Sequence, residues 1–595
     1  MARANDEVAA LLREYSDLLE ISGGDMFRAR NYEKAARSVA GYAGDVGALD
    51  IAGLRRIPGV GTSIATKIAE YQQTGTIAAL EALRAKIPDG VRELTTIPAL
   101  GPKRAFQLYT DLRIGSVADL AAAIEEGRLR ELKGFGARSE EKLRQGIALL
   151  RGAGQRVTLN VAADTAARVI AAVSAAPGCE RCAHAGSLRR FAETIGDIDV
   201  LAAATDSGPL MAALLTHPAV TEVIASGDTK TSVRISTGVS HPAQGSTGSG
   251  GGAATIQVDL RVVRPQCWGA ALQYFTGSQA HNVRIREIAV RKGLKLSEYG
   301  LFEADSGELI VSQTEEEVYH RLGMAWVPPP LREDTGEVRA ALRGELPVLV
   351  SRADIVGDLH THTNLTDGVA SLADMVAAGR ARGYAYFAVT DHAPNLFMQR
   401  MTTEKILHQR EELLSLQAGL RADGGTPMTL LHGTELNIAP DGTVDWPEDF
   451  LAGFDICVAS VHSHFDQPRA EMTRRFLRAC ENPLVHVIGH PTARRLGKRP
   501  PVDVDFAELY RTCAATGTAL EINSHPERLD LPSEAIKVAR DAGVRFAIST
   551  DAHAVGHLDF LSYGIGTAQR GWLTADDVIN TWPLERLREF LRKGR

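Results

Sequence analysis

Six short apolar runs between residues 355 and 553 each deliver a histidine or a carboxylate at their end. That succession constrains the chain more than any other feature. The runs read IVGDLHTHT, YFAVTDH, TLLHGTEL, ICVASVHSH, VHVIGHP and RFAISTDAH, and 12 of the 17 histidines lie beyond residue 340. A lone histidine packs into a core without consequence. Six strand-length runs ending this way need a shared partner, and a metal suits imidazole and carboxylate together. Buried-looking runs alternating with helical stretches are the pattern of a parallel α/β barrel, whose strands are covered on both faces. The i, i+2 pairs His360/His362 and Asp551/His553 each point one way from a strand end. In such barrels the carboxyl ends of the strands form the active face.

At 595 residues the chain is too long for a single core, so about three to five domains are expected. The formal charge of -7 argues against a broad nucleic-acid coat and confines any DNA contact to local patches. Six cysteines are too few for a disulfide scaffold, which suits a reducing cytoplasm. Cys179 and Cys182 form a CxxC without a second CxxC, and read as ordinary thiols rather than a zinc site. The start, MARANDEVAA, has no apolar targeting core and no stretch is long enough to span a bilayer, so an intracellular protein without membrane contact is expected.

Residues 1 to about 150 read as helical and hold a repeat: IPGVGTSIATKI (57–68), IPALGPKRAFQL (97–108) and LKGFGARSEEKL (132–143). Each is an apolar lead, a glycine turn and a helix. Small residues let such a turn approach a phosphate, and the N–H groups of the following helix start point at the anion. This helix-hairpin-helix pattern grips the DNA backbone without reading sequence. It nominates Gly59, Gly61, Gly134 and Gly136; the middle copy departs, with Ala99 in place of the first glycine.

The next unit reads GSLRRFAETIGDIDVL and, later, IQVDLRVV. Asp197 and Asp199 alternate on one strand and face the same side. With Asp259 from a neighbouring strand, they can hold two divalent cations for nucleotidyl transfer. Gly186 and Ser187 open a helix where a triphosphate can sit, with Arg190 adding charge-assisted contacts. The tract QGSTGSGGGAA (244–254) reads as a flexible hairpin tip.

On the signatures IPGVG, GSLRR, GDIDV, VDLRVV and YFTGS, the first 330 residues resemble a family X DNA polymerase, related to polymerase beta. The resemblance implies that Asp197, Asp199 and Asp259 bind catalytic Mg2+ or Mn2+. It places Gly186, Ser187, Arg190 and Gly196 at the triphosphate and Tyr274, Phe275 and Gly277 beside the sugar. Asn282 would lie at the minor-groove edge of the new pair and Arg286 near the template base. Lys67 falls where the family's lyase lysine sits and could form a Schiff base with an abasic sugar. The supporting lysine expected four residues earlier is Ser63, so a phosphate contact is the simpler role for Lys67.

Residues 355–595 resemble a PHP (polymerase and histidinol phosphatase) domain, a distorted (β/α)7 barrel with three divalent metals. HTHTNLTDG, TDH, GTE, VHSH, GHP and TDAH follow that family in order. The implied ligands are His360, His362, Asp367, His392, Glu435, His462, His490, Asp551 and His553. Mixed imidazole and carboxylate donors suit Mn2+, Zn2+ or Fe2+, and such a centre activates water against a phosphodiester. Asp391 reads as orienting a ligand or its loop, and His464, His525 and His557 are left unassigned.

The expected organisation is a multidomain α/β protein. It comprises a helical N-terminal domain (1–85), a fingers-like helical domain (86–152), a palm (153–265), a thumb-like domain (266–332), a linker (333–354) and the PHP domain (355–595). The resemblance implies a monomeric cytoplasmic, nucleoid-associated enzyme of base excision repair. It would fill short gaps in DNA from deoxynucleoside triphosphates, degrade 3′ ends, and open abasic sites or trim blocked ends. A small-molecule phosphatase on an inactive polymerase scaffold and a non-catalytic DNA-end binder are the competing readings; the Asp triad and the hairpin repeats favour the polymerase.

Overall fold

The computed structural model describes residues 2–22, 26–42, 44–87, 89–95, 97, 100–132, 135–136, 139–144, 146–147, 156–240, 253–396, 401–422, 424–425 and 427–593. Helices α1 (Ala2–Ile21) and α2 (Met26–Ala40) pair through Val8, Leu12, Tyr15 and Leu19 against Ala29, Tyr32, Ala36 and Val39. These residues recur every three or four positions, as a one-sided helix requires. Helix α3 (Thr62–Thr74) completes this core, and α4 (Pro102–Leu112) belongs to a second one built on Leu94, Leu100, Leu108, Leu120 and Ile124.

The middle region is a five-stranded sheet of β1 (Arg181–His184), β2 (Asp197–Ala203), β3 (Val220–Ser226), β4 (Lys230–Ser240) and β5 (Ala253–Val263), in the order β1-β2-β5-β4-β3. Only β2 and β5 run parallel; the other pairs are antiparallel. Ile198, Val200, Val258 and Leu260 alternate into the core, which turns Asp197, Asp199 and Asp259 to the other face. The Gly/Ser tract lies almost wholly outside the described residues, between β4 and β5. The short helix α5 (Gly186–Arg189) follows β1.

The thumb-like region packs helices Trp268–Thr276, Gln279–Arg291 and Glu315–Arg321 with a three-stranded antiparallel sheet. Residues 333–354, expected to be a linker, differ from that reading. They contain a helix, Glu337–Arg343, whose Val338 and Ala341 join the thumb core. The buried Glu337 carboxylate lies 2.7 Å from His281 Nδ1 and accepts from the Asp334 and Thr335 N–H groups. The proline-rich lead VPPPLREDTGE turns the chain, and the apolar stripe after it has a core to fill.

The C-terminal region is a seven-stranded parallel sheet in sequence order: β6 (Gly357–Asp358), β7 (Tyr386–Val389), β8 (Thr429–Asn437), β9 (Ile456–Ser460), β10 (Val487–Ile488), β11 (Ala519–Asn523) and β12 (Phe546–Ser549). A single parallel bridge, Thr361 to Ala552, joins the two ends, so the barrel is nearly closed. Helix α6 (Leu561–Arg570) follows β12. The barrel is keyed into its neighbours: Leu529 enters the palm core and Trp572 the thumb core. Among the described residues no helix is long and apolar enough to cross a membrane.

Candidate active sites

In the palm, parallel register sets Asp199 directly opposite Asp259, with Asp197 two residues earlier on the same face. Gly186, at a φ of 58°, lets α5 start against the Asp199 carboxylate, where any side chain would collide with it. Burial, then the like charges of Asp197 and Asp259, raise the Asp199 pKa to about 7. Burial also pushes Asp259 up, but Lys230, Gln257 and Ser232 outweigh it and lower its pKa. The Lys230 ammonium lies 2.8 Å from Asp259 Oδ2. Three carboxylates with one lysine between them make a site short of positive charge, and this fits divalent cations. A cleft lined by Asp199, Lys230, Asp259, Arg261 and Phe275 opens there.

Of the other nominated nucleotide contacts, Phe275 lines this cleft. Arg190 donates from Nε to Glu333 Oε1 at 3.0 Å and from Nη1 to the Thr276 carbonyl at 2.6 Å. Gly277, at a φ of 70°, lies close to Arg190 Nη1. Ser187 sits in the first turn of α5, and Gly196 immediately precedes β2 beside Arg156. Tyr274 and Phe275 meet edge to face with centroids 5.1 Å apart, and the Arg286 guanidinium lies 5.6 Å from the Tyr274 ring. The Asn282 amide is used internally: it donates to the Tyr274 carbonyl and accepts from Gln273, both at 2.7 Å. To reach a base pair it must exchange those bonds.

In the hairpins, Gly59 has a φ of 80°, and Gly61 caps α3 with no side chain over the first N–H groups. Gly136 repeats the arrangement, its carbonyl accepting from Ser139 and Glu140; Gly134 lies outside the described residues. Gly101, which the departure at Ala99 kept off the nominated set, caps α4 in the same way. Lys67 reaches back to Ser63, its Nζ 3.2 Å from Ser63 Oγ, and lies 5.8 Å from the centroids of both Tyr15 and Tyr32.

At the barrel mouth, all nine nominated residues converge. His362, Asp367, His392 and His553 form one group, His360, His362 and Asp551 a second, and His392, Glu435 and His462 a third. His490 joins through Glu435, its Nε2 3.1 Å from Oε1. Glu435 also faces His462 Nε2 at 3.1 Å and His360 Nε2 at 3.5 Å. Burial would raise the Glu435 pKa, but His462, His392 and His360 hold it well below the usual carboxylate range. For His360 the balance reverses: burial lowers its pKa, and Glu521, Glu435 and Asp551 raise it well above normal. The Nε2 atoms of His360 and His362 stand 3.1 Å apart. The Nδ1 atoms of His362 and His490 are buried with no hydrogen-bond partner among the described residues. Such convergent, under-partnered donors fit divalent transition ions.

Several supporting residues had no place in the sequence reading. Glu521 Oε1 lies 2.7 Å from His360 Nδ1, and Asn437 Oδ1 lies 2.8 Å from His462 Nδ1, so both rings turn Nε2 toward the cluster. The strand ALEIN carries Glu521 and Asn523 at i, i+2, the signal that could have found them. Arg528 Nε lies 3.5 Å from Asp551 Oδ2, and its Nη1 is buried without a hydrogen-bond partner among the described residues. The Asp391 carboxylate is spent on the loop, accepting from Thr363, Thr366 and Gln409, in keeping with an orienting role. His464 is exposed, whereas His525 and His557 accept backbone N–H groups from Glu527 and His553. The N-terminal helices stand at this mouth: Arg37 Nη1 lies 4.0 Å from Asp367 Oδ2, and Gly41 packs against Ala554. Lys142 pairs with Asp466 of the barrel at 2.8 Å.

Comparison with known families matches residues 3–77 to a helix-hairpin-helix domain and 91–148 to a SAM-like helix-hairpin-helix tandem. Residues 271–333 match the DNA polymerase beta thumb, and 358–525 the PHP domain. The chain is 32% identical over 589 residues, 99% of each sequence, to the DNA polymerase/3′-5′ exonuclease PolX of Bacillus subtilis (strain 168). It is 25% identical over 255 residues to a probable phosphatase of Thermoanaerobacter sp. (strain X514), covering 40% of this chain and 95% of that one. A probable phosphatase of Tolumonas auensis is 29% identical over 240 residues, 39% of this chain and 87% of the relative.

Proposed function

We infer the function from one premise: the chain belongs to the family X DNA polymerases, in the branch that carries a PHP domain. It is a DNA polymerase and 3′–5′ exonuclease. Within that activity, its role is to fill short gaps during base excision repair, as a monomer, from deoxynucleoside triphosphates. The nuclease site would also serve abasic or blocked 3′ ends. The observation that carries this reading is the pairing, on one chain, of a three-carboxylate centre with a separate basin of imidazoles and carboxylates.

In the palm, Asp197, Asp199 and Asp259 would hold Mg2+ or Mn2+. These ions supply activation of the primer hydroxyl and neutralisation of the leaving pyrophosphate. Arg190 and the N–H groups of α5 hold the triphosphate, with Gly186 and Ser187 in the turn and Gly196 lining its approach. Tyr274, Phe275 and Gly277 border the sugar, while Asn282 and Arg286 face the nascent pair and template. At the barrel, the nine residues named above would hold Mn2+, Zn2+ or Fe2+, which supply an activated water and charge stabilisation for phosphodiester hydrolysis. Glu521 and Asn437 fix the tilt of two imidazoles, and Arg528 offers a cation beside the cluster for the scissile phosphate. The hairpin-motif glycines Gly59, Gly61, Gly134 and Gly136 would let the backbone grip phosphates on either side of the gap. Lys67 is a contact to the DNA backbone in this reading, because Ser63 stands where a supporting lysine is expected.

The test is a 5′-labelled primer on one-nucleotide-gapped DNA, with and without deoxynucleotides. Extension with them and shortening without them is the expected result; failure of both in Mg2+ and in Mn2+ would leave a non-catalytic DNA-end binder. Affinity for the gapped duplex is expected to fall roughly tenfold or more between ~50 and ~200 mM salt. A flat salt dependence in an anisotropy titration would rule out the phosphate grip. Glu521→Gln is expected to weaken barrel metal affinity about 10- to 100-fold while leaving extension intact. Equilibrium dialysis against Mn2+ reads this directly, and unchanged affinity would remove Glu521 from the site.

A further inference from the structure

The segment after the palm's glycine turn, residues 190–193, lies against the PHP domain and is held there at three points. Arg570, at the end of α6, donates from Nη1 to the Arg190 carbonyl at 2.8 Å and to Glu333 Oε1 at 2.7 Å. That same carboxylate oxygen accepts from Arg190 Nε at 3.0 Å. Phe191, at a φ of 56°, lays its ring on α6 where Gly566 leaves room for it and a side chain would not. Glu193 takes Nη1 and Nη2 of Arg494, at 3.0 and 2.6 Å.

We propose that Arg570 is a positioning residue for nucleotide binding in the palm: by drawing Glu333 toward itself, it leaves the charge of Arg190 available to the triphosphate. This rests on the reading of Arg190 as a triphosphate contact. Two guanidinium groups share one carboxylate oxygen. A guanidinium fully paired with a carboxylate is a poor partner for a phosphate, since both acceptors compete for the same N–H fork. The side chains of Arg190, Glu333 and Arg570 are only 15%, 26% and 12% exposed, so solvent screens this competition weakly. Without Arg570, Glu333 closes on Arg190, and an incoming triphosphate must displace it. The PHP domain thereby acts on the polymerase site through a single carboxylate.

The experiment is steady-state filling of a one-nucleotide gap by the full chain, with the complementary deoxynucleotide titrated. Arg570→Gln is expected to raise the nucleotide KM about fivefold with kcat within about twofold, and Arg570→Lys to restore most of it. Glu333→Gln, which removes the competitor, lowers the KM. Arg190→Gln raises the KM, and in its background Arg570→Gln has no further effect. If Arg190→Gln leaves the KM unchanged, the triphosphate reading falls and takes the proposal with it. If Arg190→Gln raises the KM but Arg570→Gln does not, or the two effects multiply in the double variant, the proposal is overturned and that reading stands. A loss confined to kcat overturns it as well. Should Arg570→Gln melt early, the sign of Glu333→Gln decides: a higher KM there refutes the proposal.

Discussion

An Asp197→Ala variant is expected to lose primer extension by at least about a thousandfold and to keep its 3′ degradation. Asp197 is exposed at the start of β2, so its removal takes nothing from the core beneath, which Ile198 and Val200 form. Folding stability should therefore change by no more than about 0.5 kcal/mol. What disappears is one of three carboxylates on a common face, next to Asp199 and the Asp259 paired with it across the strands. Two carboxylates and the Lys230 ammonium would remain, a combination too poor in negative charge to hold two divalent ions. Single-turnover extension with Mg2+ and with Mn2+ measures the loss. Extension within tenfold of wild type would move the palm centre elsewhere.

The complementary result is expected for Glu435→Gln: 3′ degradation falls about a thousandfold, bound transition metal falls with it, and extension persists. Glu435 is buried among imidazoles from several strand ends, with His392, His462 and His490 each within 3.1 Å of its oxygens. The amide keeps the shape and removes the negative charge that these rings face. Elemental analysis and a labelled 3′-end assay on the same sample test this, and extension by that sample reports that the protein has folded. Full nuclease activity with full metal content would mean that Glu435 is a structural buffer for the histidines and not a ligand.

Much of both sites could be read from the chain because their residues sit at fixed offsets from strand ends. Asp197 and Asp199 alternate, as do His360 and His362, and the local repeat predicts a shared face wherever the strand goes. Glu521 escaped because its run, ALEIN, carries no histidine, so nothing marked it as one of the barrel's strands facing the cluster. Gly101 escaped because one neighbouring alanine broke the motif. The helix Glu337–Arg343 was hidden by the proline-rich stretch before it. The clamp formed by Arg494, Arg570 and Gly566 has no local signature at all. Its members lie more than 300 residues from their palm partners, and only the docking of the barrel on the palm brings them together.

The barrel has a seam. Among the described residues, strands β6 and β12 share no backbone ladder: one bridge beyond their ends, Thr361 to Ala552, joins them, while the Asn580 side chain donates to the Gly357 and Ile548 carbonyls. The residues flanking that bridge, His360 and His362 on one side and Asp551 on the other, make up one of the candidate ion-binding groups. An ion seated there would work as a clasp, tying the first staves of the cask to the last. The joint that lacks a ladder and the chemical centre would then be one place, and stripping the ion would slacken the wall in the same act that stops the reaction.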